Sequence, residues 1–453
     1  MTSKSLNLGL RKLGGNISLT ILRQGIAITL GLGLSILLAR ILGPTGNGQY
    51  AMVILLPTLL ATFFNLGIAP SNVYHIASEK VKPRDAFRTT FGFWTLLSTI
   101  GIIIGISIIF AQSSNWFPGV PSYLLWIGIV AYPIVLFQQL LGSFFQGLQD
   151  FKKYNSVLLI PPGLTLLLAI VLVGFLSMGV GGALVSFIVG HFLGLLVTFF
   201  LLKPHIDKNS GSTKSRNYAK DCIKYGYKAH LSNILAFVNY RADLFLVNFF
   251  LNPAATGIYV VAVNIAERLW TLSGSVSTVI LPRLSELSKD ELKRKQLTPL
   301  ISRWVLLVSA VGTILMAVLA STLIQIMYGN EYLDAVNALL WLLPGILLGS
   351  MAKILSNDIA ARGRPELNMY VAVFVVSTNI IANVILIPNY GIKGAAIATS
   401  IAYSLNAILK LWLYSYISKN SWWEPILFNK EDKRLFYEGV SMIRKAIKGR
   451  FFG

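Results

Sequence analysis

Apolar residues in this chain come in long runs, separated by short polar segments rich in lysine and arginine. A helix needs about 20 apolar residues to cross the hydrocarbon core of a bilayer. On that measure the first half predicts spans near 18–40, 50–69, 91–111, 122–146, 156–177 and 180–202. The second half predicts spans near 229–250, 255–279, 303–327, 336–356, 368–388 and 394–417. The expected fold is therefore an all-α membrane protein: twelve transmembrane helices in two pseudo-symmetric six-helix bundles. The bundles are expected at 1–202 and 229–417, joined by a polar, Gly/Ser-containing linker at 203–228 that reads as flexible. A tail follows at 418–453. There Phe436, Val440, Ile443 and Ile447 recur at helical spacing beside Lys433, Arg434, Arg444, Lys445 and Lys448, which predicts a basic amphipathic helix on the inner leaflet.

Composition supports this class. Hydrophobic residues make up 55% of the chain and charged residues 13%, against about 25% charged in soluble domains. The formal charge of +21 follows the loops. Lys80, Lys82, Arg84 and Arg88 share one loop, and Lys289, Lys293, Arg294 and Lys295 another on the same side, whereas the opposite loops carry Arg40 and Lys393. Basic loops stay cytoplasmic, so both termini are expected in the cytoplasm, and the basic excess needs no nucleic acid. The single cysteine, Cys222, allows no intramolecular disulfide, and no Cys/His cluster suggests a metal. The first apolar run is long enough to span and lacks a small-residue cleavage site, so no cleavable leader is expected.

The two halves share three motifs in order. Leu42-x-Pro44-x-x-x-Gly48-x-Tyr50 matches Leu251-x-Pro253-x-x-x-Gly257-x-Tyr259. Gly147, Asp150 and Tyr154 match Gly363, Glu366 and Tyr370, and Gly179-Val-Gly-Gly182-Ala183 matches Gly391-Ile-Lys-Gly394-Ala395. The offsets are 209, 216 and 212, which is the signature of a duplication. Six spans per half give both halves one orientation, with a pseudo-axis along the membrane normal. Such pairs place a substrate site at the repeat interface and work by alternating access.

The spans also carry charges. Arg241 and Asp243 lie midway along the seventh, Glu267 and Arg268 midway along the eighth, and Arg23 near the inner end of the first. A charge at bilayer depth costs about 3 kcal/mol on insertion scales and marks a functional site by default. By helix rise, Arg23 is about 9 Å and Arg241 about 18 Å from the inner ends of their spans. Two readings stand. The charges neutralise one another, Arg241 with Glu267 and Asp243 with Arg268, or at least one arginine faces a cavity. Polar residues such as Gln138, Gln146, Asn264, Asn379 and Asn383 read first as helix-to-helix glue, His191 as a hydrogen-bonded interior residue, and Tyr50 and Tyr259 as packing residues.

Three stretches then resemble a known family. They are LLARILGPTGNGQYAMVILLPTLLATFFNLGIAPSNVYHIA, LNPAATGIYVVAVNIAERLWTLSGSVSTVILPRLSEL and TNIIANVILIPNYGIKGAAIATSIAYSLNAILKLW. They are similar to bacterial polysaccharide and O-antigen flippases of the multidrug/oligosaccharidyl-lipid/polysaccharide exporter superfamily, over about 16–413. The resemblance implies a flippase for polyprenyl-diphosphate-linked oligosaccharides, moving them from the inner to the outer leaflet of the bacterial cytoplasmic membrane. Arg23, Arg241 and Arg268 are then candidates for the diphosphate, since guanidinium matches phosphate oxygens. Asp243 and Glu267 are candidates for H+ or Na+ coupling. A polysaccharide polymerase is a candidate partner.

The alternative is a cation-coupled multidrug or toxic-compound extruder of the same fold, which should carry more cavity carboxylates and fewer arginines. A membrane polymerase or glycosyltransferase is disfavoured, because no outer loop is large enough to build a catalytic constellation. No phosphate-binding loop of the G-x-x-x-x-G-K-[ST] type appears.

Overall fold

The computed structural model describes residues 3–207, 215–287, 290–429 and 432. The expected linker centre at 208–214 and the expected tail helix from 433 onward lie outside the described residues. Thirteen α-helices make up the described chain: α1 Ser3–Phe64, α2 Ile68–Ala77, α3 Pro83–Trp116, α4 Ser122–Ile129, α5 Ala131–Gly147, α6 Phe151–Ala169 and α7 Gly179–Ile206, then α8 Ser215–Phe250, α9 Pro253–Arg268, α10 Trp270–Glu286, α11 Glu291–Tyr328, α12 Asp334–Ala361 and α13 Pro365–Ser418. A π-helical turn, Ile170–Phe175, extends α6. No strand occurs among the described residues.

Among the described residues, eight helical stretches are long and apolar enough to cross a membrane. Two of them cover two expected spans each. α1 holds 18–40 and the expected 50–69 as far as Phe64, where it ends before the turn to α2, and it breaks at Gly43 (φ 64°), while α13 holds 368–388 and 394–417 and breaks at Gly391 (φ 60°). The expected seventh and eighth spans, in α8 and in α9 with α10, are not among the eight. Their charges lower the hydropathy, and the eighth is interrupted at Leu269. Large apolar side chains sit on the outside of the apolar helices; Phe175 is 80% and Val318 75% exposed. Such surfaces suit lipid rather than water. The chain is a multi-pass membrane protein.

The chain packs as two compact units. The first holds Met1–Asn264, Ala320–Leu339 and Asn379–Ala398; the second holds Ile265–Leu319, Leu340–Thr378 and Thr399–Gly453. The core of the first unit is apolar side chains of α1, α4 and α5, among them Met52, Leu56, Leu125, Leu136, Phe144 and Phe145. At its basic-loop end a buried polar knot ties four helices: Asn72 donates to Thr90 and Ser143, and the Tyr218 hydroxyl donates to Asn72 at 2.6 Å. The second unit has its own knot at the same kind of end. There Arg362 bonds Glu291 at 2.7 Å and also Asp358, which accepts from Thr298.

The duplicated motifs have physical roles. In the first unit the two L-x-P-x-x-x-G-x-Y turns lie against each other. A Cβ on Gly48 would fall 1.7 Å from the Pro253 carbonyl oxygen, and one on Gly257 would fall 2.0 Å from that of Pro44. Only hydrogen fits at either place, and the contact is reciprocal, as a two-fold relation requires. In the third motif the leading glycines, Gly179 and Gly391, share the same left-handed φ of 60°, where a Cβ is disfavoured. In the second motif Asp150 caps α6, accepting from the Lys153 N–H at 3.1 Å, while its counterpart Glu366 lies in the first turn of α13.

Adding a methyl at Gly48 or Gly257 should lower stability by about 1–3 kcal/mol or more, as overpacking does. Gly142→Ala, where nothing lies within 4 Å, should be neutral in the same thermal unfolding assay in detergent. The double variant should be less destabilised than the sum of the singles, because both disrupt one contact. The Asp150 cap gives a pH test. Burial pushes its carboxyl up, but the Lys153 backbone N–H and ammonium outweigh burial and hold it below the usual carboxylate range. Its contribution is thus full above about pH 4 and is lost as pH falls through the lowered folded value. Asp150→Ala should cost about 1 kcal/mol at pH 7, and the gap from the parent should close in acid.

Candidate functional site: a cluster of cations in the second unit

The second unit gathers charge around Trp270, the first residue of α10. The α9–α10 interruption at Leu269 leaves Glu267 and Arg268 on one side and Trp270 on the other. Irregular backbone at membrane depth persists only where protein or a wet cavity surrounds it. Trp270 is held from three directions. Its indole N–H donates to the Ile346 carbonyl at 2.8 Å. Gly349, one turn on, lets the ring approach so closely that a Cβ there would sit 2.8 Å from Cζ2. The Tyr403 ring packs against it at 4.9 Å.

Ile346, Gly349 and Lys353 follow at helical spacing along one face of α12. That spacing puts the Lys353 ammonium 4.2 Å from the centre of the Trp270 ring. Tyr403 and Lys410 lie two turns apart on α13. Lys410 lies close enough to Lys353 for the two positive charges to repel, and Glu267 acts on Lys353 with the opposite sign. Neither lysine forms an ion pair within 4 Å among the described residues. Arg268 forms none either, and its buried Nε has no hydrogen-bond partner. A cation held over an aromatic face in a dry interior gains about 2 kcal/mol. That is less than the penalty for burying a second like charge beside it. The arrangement is one that an anion would complete.

The other charges flagged by the sequence belong to the first unit. Arg23 lies on α1, half-buried, and its Nε has no hydrogen-bond partner. Arg241 lies on α8 and donates to the Tyr240 carbonyl at 3.3 Å. Asp243 is buried; its Oδ1 accepts the Leu244 N–H and its Oδ2 the Tyr259 hydroxyl, both at 2.8 Å. Tyr259 is thus a fully buried packing residue, as expected. Asn379 and Asn383 bond each other at 2.6 Å, Asn264 donates to Ser35, and His191 is hydrogen-bonded to the Phe187 carbonyl. Asn264 bridges α9 and α1 as glue should, and His191 fits the interior role expected of it, whereas the Asn379–Asn383 bond lies within α13 and joins no two helices. The Gln146 amide has no hydrogen-bond partner among the described residues.

Sequence reasoning passed over Lys353 and Lys410. The rule that flagged Arg241, a charge inside an apolar run, also applies to both. They sit toward the ends of their expected spans, 336–356 and 394–417, where lysine is ordinarily free to reach the interface.

A family model described as polysaccharide biosynthesis protein matches residues 37–337. A protein of Shigella flexneri named as an O-antigen transporter is 25% identical over 398 residues, covering 83% of this chain and 92% of its own. A protein of Haloferax volcanii named as a flippase of low-salt glycan biosynthesis is 26% identical over 325 residues, covering 65% and 67%. Among solved structures, the lipid II flippase MurJ in an inward closed conformation aligns with a TM-score of 0.71 over 86% of each chain, at 19% identity. An inward-facing multidrug resistance MATE transporter aligns with a TM-score of 0.68, covering 88% of this chain and 98% of its own, at 14% identity. These structural matches show a shared fold.

Removing one of two mutually repelling cations should not weaken the fold. Lys410→Met should unfold in detergent at or above the parent temperature. A clearly lower Tm would mean that the ammonium has a stabilising partner and that the site is already complete.

Proposed function

This chain belongs to the family of polysaccharide biosynthesis proteins, and from that premise we propose that it flips a polyprenyl-diphosphate-linked oligosaccharide from the inner to the outer leaflet of the bacterial cytoplasmic membrane. The observation that carries the reading is a set of cations with no ion pair within 4 Å among the described residues, Arg268, Lys353 and Lys410, in a chain whose named relatives are flippases and transporters. A diphosphate is the anion such a set suits. Its charge must leave water to cross, and lysine and arginine supply donors that water would otherwise provide. The polyprenyl tail stays in lipid throughout. An exporter of cationic drugs would meet repulsion at the same three residues, which ranks that reading second.

Arg23 and Arg241 are proposed as further diphosphate contacts. Alternating access between the two six-helix bundles, 1–202 and 229–417, is the proposed cycle. Asp243 and Glu267 are the candidates for H+ or Na+ coupling. For Asp243 the Tyr259 hydroxyl already occupies one oxygen, so a proton there would have to break or reorient that bond. A polysaccharide polymerase is the proposed partner downstream.

The first test is mass spectrometry of lipid-linked glycans in a strain lacking the gene. A polyprenyl-diphosphate oligosaccharide should accumulate while a surface glycan disappears, and an unchanged glycolipid pool would sink the flippase reading. In the complemented strain, Lys353→Met, Lys410→Met and Arg268→Ala should each cut surface glycan at least tenfold with the protein still in the membrane. Normal glycan in all three would remove the diphosphate role.

A further inference from the structure

A pocket lies in the first unit, close to the loop that carries Lys80, Lys82, Arg84 and Arg88. It is an open pocket of about 530 Å³, lined by Pro70, Val73, Tyr74, Ser78, Gln146 and Tyr225, among others. That volume falls within the range of small-ligand pockets, about 300–1,000 Å³. Tyr74 on α2 and Tyr225 on α8 stack with ring centres 4.5 Å apart and planes 8° from parallel. Both residues nevertheless stay part-exposed, at 39% and 43%.

The pair is built, not incidental. One residue from Tyr225, the backbones of α8 and of the turn before α2 touch. A Cβ on Gly67 would fall 2.1 Å from the Gly226 carbonyl oxygen, and one on Gly226 would fall 2.6 Å from that of Gly67. The buried His75 ring presents an edge to both tyrosines, at 5.0 and 5.7 Å. Lys80 donates to the Tyr74 hydroxyl at 2.8 Å and lies over the ring at 4.6 Å. Isolated interfacial tyrosines are common in membrane proteins, but these two are locked together by four neighbours. Beside them Gln146 offers an amide with no partner among the described residues, two donors and an acceptor, while the Ser78 hydroxyl is engaged with the Tyr74 carbonyl.

We propose that this cavity binds a saccharide unit of the glycolipid as it is loaded from the basic-loop side. A pyranose offers an apolar C–H face to an aromatic ring and a fringe of hydroxyls to an amide. The cavity presents those two complements side by side. Its lining holds no carboxylate, and Lys80 stands at Tyr74, so a neutral or acidic sugar fits and a basic one does not. The inference rests on the flippase reading, because the sugars of such a lipid face the cytoplasm before translocation.

The test uses the full chain in nanodiscs and two probes: the polyprenyl-diphosphate glycolipid extracted from the host, and undecaprenyl diphosphate without sugar. The parent should bind the glycolipid at least tenfold more tightly than the bare lipid. Tyr225→Leu and Gln146→Ala should each remove most of that ratio while leaving affinity for bare undecaprenyl diphosphate unchanged. Gln146→Ala guards against Tyr225→Leu simply failing to fold. A ratio unchanged in both variants, or a parallel loss of affinity for both lipids, would overturn the proposal. A parent protein that binds neither lipid would overturn the flippase reading itself, and this inference with it.

Discussion

The interior of a bilayer offers no water, and that shapes every part of this chain. Backbone groups there must satisfy one another, so the described residues are helical and the long helices break at glycines in the short connections. The exception is instructive. α9 gives way to α10 at Leu269, within two residues of Glu267, Arg268 and Trp270. An interruption and a cluster of charges both require an interior that is not lipid, so one protein-lined environment serves both.

The duplication has a mechanical meaning that matching letters alone do not convey. In the first unit each L-x-P-x-x-x-G-x-Y turn is the other's packing partner, with glycine of one against the proline carbonyl of the other in both directions. A side chain at either glycine would push the same two backbones apart. The contact therefore constrains the two copies jointly. At the basic-loop end Gly67 and Gly226 make a second backbone-to-backbone approach. The stacked tyrosines beside it owe their geometry to that approach.

In the second unit, position is specified by packing and charge is left open. Trp270 is held by a hydrogen bond, a glycine and a tyrosine ring, and in turn it holds Lys353. Lys410 adds a like charge that no nearby carboxylate cancels. Folding alone gives no reason to retain such a pair, since two like charges brought together in a partly dry interior cost stability. Binding an anion does. Arg303 is the contrast: it is buried, and Asp432 meets it at 2.8 Å and the Glu424 carbonyl at 2.6 Å.

Apolar runs, basic flanks and repeated turns were legible in the sequence because each is local. A run of twenty residues declares a span, and Gly179 and Gly391 announce their shared left-handed turn by residue type. The flippase family was legible for the same reason, through contiguous motifs. Partnership was not. Asp243 could be read as an ion pair or a coupling site, and only the fold put the Tyr259 hydroxyl on it. Lys353 and Lys410 are on different helices, and only the packing of α12 and α13 brings their like charges together. Sequence determines which residues are expensive to bury. Tertiary structure decides which of them find a partner, because that depends on which helix faces meet.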